Sequence, residues 1–176
     1  MHLRTCTAAI AILFLPSLAS AQANPVATAF RDNAKEAAKN LVAAAEELNA
    51  AKYGFKPTPP QMSFGDVVVH LSQANDYLCG TIGGVKAPTR TKVASTDKKE
   101  VLVARLRETF AFCDQTLAAL DDSKLTESLP FFGGTSMTRA AIMTATTADY
   151  ADHYSQMAIY LRLNGKLPPT AKKPAQ

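Results

Sequence analysis

Residues 64–81 read FGDVVVHLSQANDYLCGT. The apolar residues in this stretch recur every three or four positions, which is the spacing of one face of an α-helix. Ser63, followed three residues later by Asp66, resembles a capping box, and Gly83-Gly84 supplies a stop signal. The stretch therefore predicts an amphipathic helix whose apolar face is buried.

Two further stretches show the same helical spacing of apolar residues, at about 25–51 and 97–120, and a fourth helical stretch runs from about 137 to 164, where Gly165 and Pro168-Pro169 end it. Runs rich in proline and glycine separate them, and no stretch has a convincing strand pattern. Four amphipathic helices of about twenty residues predict an all-α fold, a four-helix bundle over residues 25–169. The last residues, 170–176, predict a disordered tail.

The first 21 residues carry the pattern of a cleavable secretory signal. Arg4 lies in a short n-region, residues 7–18 are almost wholly apolar, and ASA at 19–21 satisfies the A-x-A rule for cleavage before Gln22. The apolar run is short for a membrane span, and an uncleaved anchor is the alternative. We therefore expect an exported protein, periplasmic or secreted, with no stable membrane anchor after cleavage.

The charge balance of the chain is mild. The formal net charge is +4 at pH 7, and it falls to +3 without the segment 1–21, which carries one arginine and no acidic residue. The basic residues are spread along the chain and are not interleaved with aromatic residues. We therefore expect no binding to nucleic acid.

Two cysteines remain beyond the predicted signal, Cys79 and Cys113. An even number of cysteines in an exported protein favours a disulfide. Two buried free thiols are the alternative that composition leaves open.

Polar residues beside predicted apolar faces are candidates for a functional site. His70 lies beside the apolar stripe of the second helix, whereas Asp149 and His153 are four residues apart on the fourth and share one face. Gln156 continues that face. Two imidazoles and a carboxylate that converge inside a bundle suit a first-row divalent metal. Ordinary structural histidines and an ordinary helix pair remain as alternatives.

Two segments resemble the signature regions of the DinB superfamily: MSFGDVVVHLSQANDYLC at 62–79 and DHYSQMAIYLRLNGKLPP at 152–169. The second, as H-Y-x-Q-M-x-x-Y-L-R-x-N-G-x-x-P-P, is the more specific, and the resemblance extends over residues 27–169. It implies a bundle with an up-down-down-up arrangement and a divalent metal held by three histidines. It is close to the exported branch of the family, which implies a disulfide between Cys79 and Cys113.

The resemblance places His70 at the histidine of the second helix and His153 at the second histidine of an H-x-x-x-H motif. Asp149 stands where that motif has its first histidine. Because a carboxylate is a competent ligand, the predicted metal site is His70, Asp149 and His153. The resemblance implies zinc or nickel, with iron or manganese as alternatives. Asp149 also fits a site that has lost its metal or prefers a harder one.

The function implied by the resemblance is a metal-dependent hydrolase or thiol transferase with an unknown small-molecule substrate. The alternative is a non-catalytic exported module, binding or structural, with a degenerate metal site. The sequence assigns no catalytic residue, so it leaves open whether the protein is an enzyme. A homodimer is a further expectation, because related bundles pair through helix faces. No C-x-x-C-H, G-x-S-x-G or P-loop motif competes with this interpretation.

Overall fold

The computed structural model describes residues 24–172. The predicted signal at 1–21 lies outside the described residues, as do positions 173–176 of the predicted tail. Four long helices make up most of the fold, and the predicted four-helix bundle is confirmed. Their bounds are α1 Pro25–Glu47, α2 Phe64–Gly83, α3 Lys99–Leu117 and α4 Arg139–Leu163.

Helices α2 and α3 run parallel. A disulfide joins Cys79 to Cys113, and Asn75 Nδ2 donates a hydrogen bond of 3.1 Å to Thr109 Oγ1. Both pairs advance in the same direction along the two helices. Parallel neighbours need a long connection, which residues 84–98 provide.

Helix α4 is antiparallel to α2 and α1 is antiparallel to α3, so α1 and α4, which also pack together, run parallel. The C-terminal end of α4 lies beside the N-terminal end of α2, where the Tyr160 hydroxyl donates to the Met62 carbonyl at 2.8 Å. Helix α1 meets α3 at both ends, through Arg31 to the Leu120 carbonyl and through Lys99 to the carbonyls of the last turn of α1. The arrangement is therefore up-down-down-up, as the family resemblance implies.

The start of α2 is the predicted capping box. Ser63 Oγ accepts from the Asp66 amide at 3.1 Å, and Asp66 Oδ2 accepts from the Ser63 amide at 2.9 Å. The hydrogen bond from the Ser63 side chain lowers the pKa of Asp66. Gly84, with φ of 69°, ends the helix in the left-handed conformation that glycine adopts without strain. These two signals fix the extent of the helix that carries His70.

The end of α1 and the start of α3 differ from the sequence prediction, the first because of a contact with a distant residue and the second because of a contact within the preceding loop. Helix α1 ends at Glu47 rather than near residue 51. At Glu47 the helix is capped by the Lys99 ammonium, which donates to the Glu46 and Leu48 carbonyls. Helix α3 starts at Lys99 rather than at Asp97, because the Asp97 carboxylate accepts from the Ala94 amide within the preceding loop.

A small hairpin between α3 and α4 was not predicted. Its antiparallel strands are β1 Ser128–Pro130 and β2 Ser136–Thr138. Three residues are too few to show an alternating pattern, so the sequence carries no strand signal there. The hairpin packs on α2 through the rings of Phe132 and Tyr77, whose centroids are 4.3 Å apart.

The beginning of the predicted tail is held against the bundle. Pro169–Ala171 forms a short 3-10 helix. The Tyr154 hydroxyl donates to Thr170 Oγ1 at 2.9 Å and accepts from the Thr170 amide at 3.0 Å. This part of the chain therefore differs from the disordered segment that composition predicts from residue 170 onward.

The core of the bundle consists of two clusters of buried side chains. One lies around the disulfide and includes Phe30, Ile82, Leu117 and Ile142. The other lies towards the opposite end and includes Leu41, Val67, Leu106 and Met157. Within residues 24–172, no helix has the length and apolarity needed to cross a membrane.

Candidate metal centre

Helices α2 and α4 bring His70, Asp149 and His153 together. One potential ligand atom from each residue lies within 4.8 Å of the other two. Asp149 Oδ1 is 3.3 Å from His153 Nε2 and 3.8 Å from His70 Nε2. The two imidazole rings are 4.7 Å apart between centroids. The three side chains thus meet where α2 and α4 cross, whereas ligation of a metal stays a prediction.

The exposure of the three side chains rises from His153 through Asp149 to His70. The side chain of His153 is 11% exposed and that of Asp149 is 26% exposed, whereas that of His70 is 45% exposed. His70 therefore forms the rim of the site, and His153 forms its inner wall.

The carboxylate of Asp149 has one oxygen without a hydrogen-bond partner among the described residues. This oxygen, Oδ2, is buried, whereas Oδ1 faces the two imidazoles. An unpaired buried acceptor destabilises a fold by about 1–3 kcal/mol, and by more when the group is charged. A cation bound by this carboxylate would offset its charge, and two imidazole nitrogens with one carboxylate oxygen are a donor set that fits a divalent metal.

The separations between the three residues are close to those of ligands on one ion. Ligand atoms that each lie about 2.0–2.2 Å from a common ion are at most about 4.4 Å apart. Both separations from Asp149 Oδ1 meet this limit. The remaining pair, His70 and His153, needs at most a small closure, which the exposed side chain of His70 can provide.

A chain of hydrogen bonds behind His153 fixes which ring nitrogen carries the proton. The Met62 carbonyl can only accept, so the Tyr160 hydroxyl donates to it, at 2.8 Å. The Tyr160 oxygen then accepts from Gln156 Nε2 at 3.3 Å, which turns Gln156 Oε1 towards His153 Nδ1 at 3.1 Å. Neutral His153 therefore keeps its proton on Nδ1, and Nε2 is free to bind a metal.

The Asp149 carboxylate raises the pKa of His153 above its ordinary value of 6.5, chiefly through their hydrogen bond. Gln156 adds to this effect, and burial opposes it. Without a metal, a proton thus joins the two side chains, and a metal would take the place of that proton. Asp152 is exposed, in line with the offset of about 100° between adjacent helical residues.

The sequence suggested a supporting role for Gln156, which the structure places beside His153. The sequence did not reveal that the Met62 carbonyl orients this series of hydrogen bonds, because a contact with a backbone atom does not depend on the type of residue. Two tyrosines next to the candidate ligands on α4 point in different directions. Tyr154 binds Thr170, and Tyr150 is buried in the core, 2% exposed.

Several crystal structures share this fold. A DinB-like protein from Bacillus cereus aligns with a TM-score of 0.68 at 18% identity, over 81% of this chain and 95% of that one. A DinB-like protein from Bacillus subtilis aligns with a TM-score of 0.62 at 18% identity, over 78% and 92%. A mutant of the mycothiol-dependent maleylpyruvate isomerase aligns with a TM-score of 0.61 at 10% identity, over 74% and 60%. At these identities the likeness shows the fold alone.

The sequence itself was compared with curated proteins and with family models. No curated protein matches it significantly. The family model described as the DinB superfamily matches residues 34–157, a range that includes the three candidate ligands and both cysteines of the disulfide. Because this match covers well over half of the chain, and the four-helix fold agrees with it, the chain belongs to the DinB superfamily.

Proposed function

We propose that this protein is a metal-dependent enzyme that holds one divalent first-row metal ion with His70, Asp149 and His153 and acts on a small molecule. The observation that carries the proposal is the convergence of two imidazole nitrogens, at 3.3 and 3.8 Å, on one oxygen of the Asp149 carboxylate.

Each residue of the site has a separate role in binding the ion or in orienting a ligand. Asp149 offsets one positive charge of the ion, and Gln156 holds the proton on the far nitrogen of His153. His70, at the rim, leaves the side towards solvent open for a substrate. When bound, a divalent ion supplies Lewis acidity that lowers the pKa of a coordinated water or thiol. Hydrolysis is therefore the first reaction class to test.

Thiol transfer is the second candidate reaction. Its support is the shared fold with an isomerase that depends on mycothiol, a low-molecular-weight thiol. Export argues against it for this chain, since cytosolic thiol cofactors are scarce outside the cytoplasm. A hydrolytic activity without added thiol would separate the two candidates.

Export itself is part of the proposal. Its support is the signal-like sequence at 1–21 together with the disulfide between Cys79 and Cys113, because disulfides persist in oxidising compartments. Sequencing the N terminus of the protein recovered from the periplasm or the medium tests it. We expect Gln22 as the first residue, and full-length protein retained in the membrane would contradict export.

Elemental analysis of tag-free protein, with Asp149→His as the diagnostic variant, tests the metal site. We expect wild type to hold one equivalent of a divalent ion, and its identity among zinc, nickel, iron and manganese follows from the same measurement. Asp152→His is the matched control, because it adds an imidazole on an exposed position nearby. If wild type binds little metal and Asp149→His binds tightly, the native site is degenerate and the non-catalytic alternative holds.

A further inference from the structure

A second polar cluster lies in the otherwise apolar core and links three helices. The Tyr150 hydroxyl, on α4, donates to Asn75 Oδ1 on α2 at 2.9 Å. Asn75 Nδ2 donates to Thr109 Oγ1 on α3 at 3.1 Å, and the Thr109 hydroxyl donates to the Leu106 carbonyl at 2.9 Å. Asn75 and Thr109 are fully buried, and Tyr150 is nearly so.

In each hydrogen bond of this cluster, the chemistry of the two groups fixes which one donates and which one accepts. The Leu106 carbonyl can only accept, so the Thr109 oxygen is left to accept from the Asn75 amide. The Asn75 carbonyl oxygen then faces Tyr150 and requires a donor. Burial raises the pKa of Tyr150, so its hydroxyl keeps the proton that it donates. A satisfied network of this kind in a dry core permits one alignment of the helices, whereas apolar packing tolerates small shifts.

The cluster lies next to the candidate metal centre on both helices. Tyr150 directly follows Asp149 on α4, and Asn75 lies five residues beyond His70 on α2. The candidate metal centre spans the same contact between α2 and α4, because His70 lies on α2 and Asp149 and His153 lie on α4. The distance between His70 and Asp149 therefore depends on the alignment that the Tyr150–Asn75 bond sets.

We propose that Tyr150 and Asn75 are positioning residues of the metal centre, which hold α4 on α2 in the alignment that lets His70 share an ion with Asp149 and His153. The inference rests on the proposed function. It differs from a general stabilising role, since any buried tyrosine hydroxyl with a partner stabilises the fold. A positioning role adds a loss of metal affinity in a folded protein.

Tyr53 is a matched control for this distinction. It is buried, 4% exposed, and its hydroxyl donates to the Ala45 carbonyl at 2.6 Å. That bond joins the segment after α1 to α1 itself and does not cross the α2–α4 boundary. Tyr53→Phe and Tyr150→Phe each remove one buried hydroxyl, so we expect similar losses of thermal stability from both.

The experiment is a titration of the wild type and the two variants with Co²⁺, followed by visible absorption, with melting temperatures measured in parallel. We expect Tyr150→Phe to weaken Co²⁺ binding by about tenfold and to change the absorption band, as loss of an outer partner of a metal site does. Tyr53→Phe should keep the wild-type affinity and band.

Each outcome separates the inference from the proposed function. Wild-type affinity and band in folded Tyr150→Phe would overturn the inference and leave the metal site standing, whereas wild type that binds no Co²⁺ would overturn the proposed function itself. Should Tyr150→Phe not fold, Asn75→Leu carries the test, because it removes the acceptor of the Tyr150 hydroxyl on α2. Unchanged Co²⁺ affinity in that variant would also overturn the inference.

Discussion

His153→Ala is expected to abolish stoichiometric binding of a divalent metal, with a loss of affinity beyond the roughly 100-fold upper range for outer partners of a metal site. His153 is the most buried of the three candidate ligands, and Gln156 fixes its tautomer. His70 and Asp149 alone would leave the ion with two protein ligands, one of them on an exposed side chain. Isothermal titration with Zn²⁺ and Ni²⁺ measures the effect.

The control for this variant is Asp152→Ala, which alters an exposed residue directly beside His153. It should bind metal as wild type does, and both variants should keep their helical circular dichroism. Tight binding of one equivalent by His153→Ala would show that the ion lies elsewhere, and the proposed site would have to be abandoned.

The same histidine sets the sign of the pH dependence. Its pKa in the folded chain is raised above 6.5 by Asp149, so a proton competes with the metal for Nε2. Metal affinity should therefore fall as the pH drops through that raised pKa. In the metal-free protein the sign is opposite: the protonated His153–Asp149 pair stabilises the fold fully below about pH 6.5, and this contribution is lost as the pH rises through the folded pKa. Thermal melts with and without metal should show the two opposed trends.

Periodicity predicted α1, α2 and α3 well because each buries apolar residues that recur at helical spacing in the sequence. The buried face of α4 also carries Arg139, Thr146 and His153. The ends of the helices were less accessible. Asp122, far along the chain, accepts from the amides of Val26 and Ala27 and so caps α1, and Lys99 caps its other end. Such caps depend on which distant segments of the chain lie close together in the fold, so no local sequence pattern predicts them.

The sequence predicted some residues of the site more fully than others. Asp149 and His153 share a helix, so their spacing alone places them on one face. That His70 joins them from α2 required the resemblance to a known family, because periodicity does not say which helices are neighbours. The Tyr150–Asn75 bond was out of reach, since a buried tyrosine and asparagine on different helices pair only at one particular alignment.

Removal of the disulfide, as Cys79→Ala with Cys113→Ala, is expected to lower the free energy of unfolding by about 3–4 kcal/mol. The bond closes a loop with a sequence separation of 34, and the unfolded chain loses conformational entropy when that loop is closed. For a domain of this size, the melting temperature should drop by about 10 °C. Guanidinium unfolding of protein that begins at Gln22, oxidised and as the double variant, measures the loss, and mass spectrometry after alkylation verifies the bond. Two alkylated thiols in unreduced protein would contradict the premise.

This variant also separates stability from positioning. A cross-link acts mainly on the unfolded chain, and the Tyr150–Asn75 hydrogen bond does not depend on it, although both sulfurs contact the Tyr150 hydroxyl, at 3.8 and 3.9 Å. The double cysteine variant should therefore lose much less metal affinity than Tyr150→Phe. Tyr150→Phe should show the reverse pattern, a modest loss of stability with a clear loss of affinity. If both variants instead lose affinity in proportion to stability, the metal centre follows the rigidity of the whole bundle, and no single hydrogen bond sets its geometry.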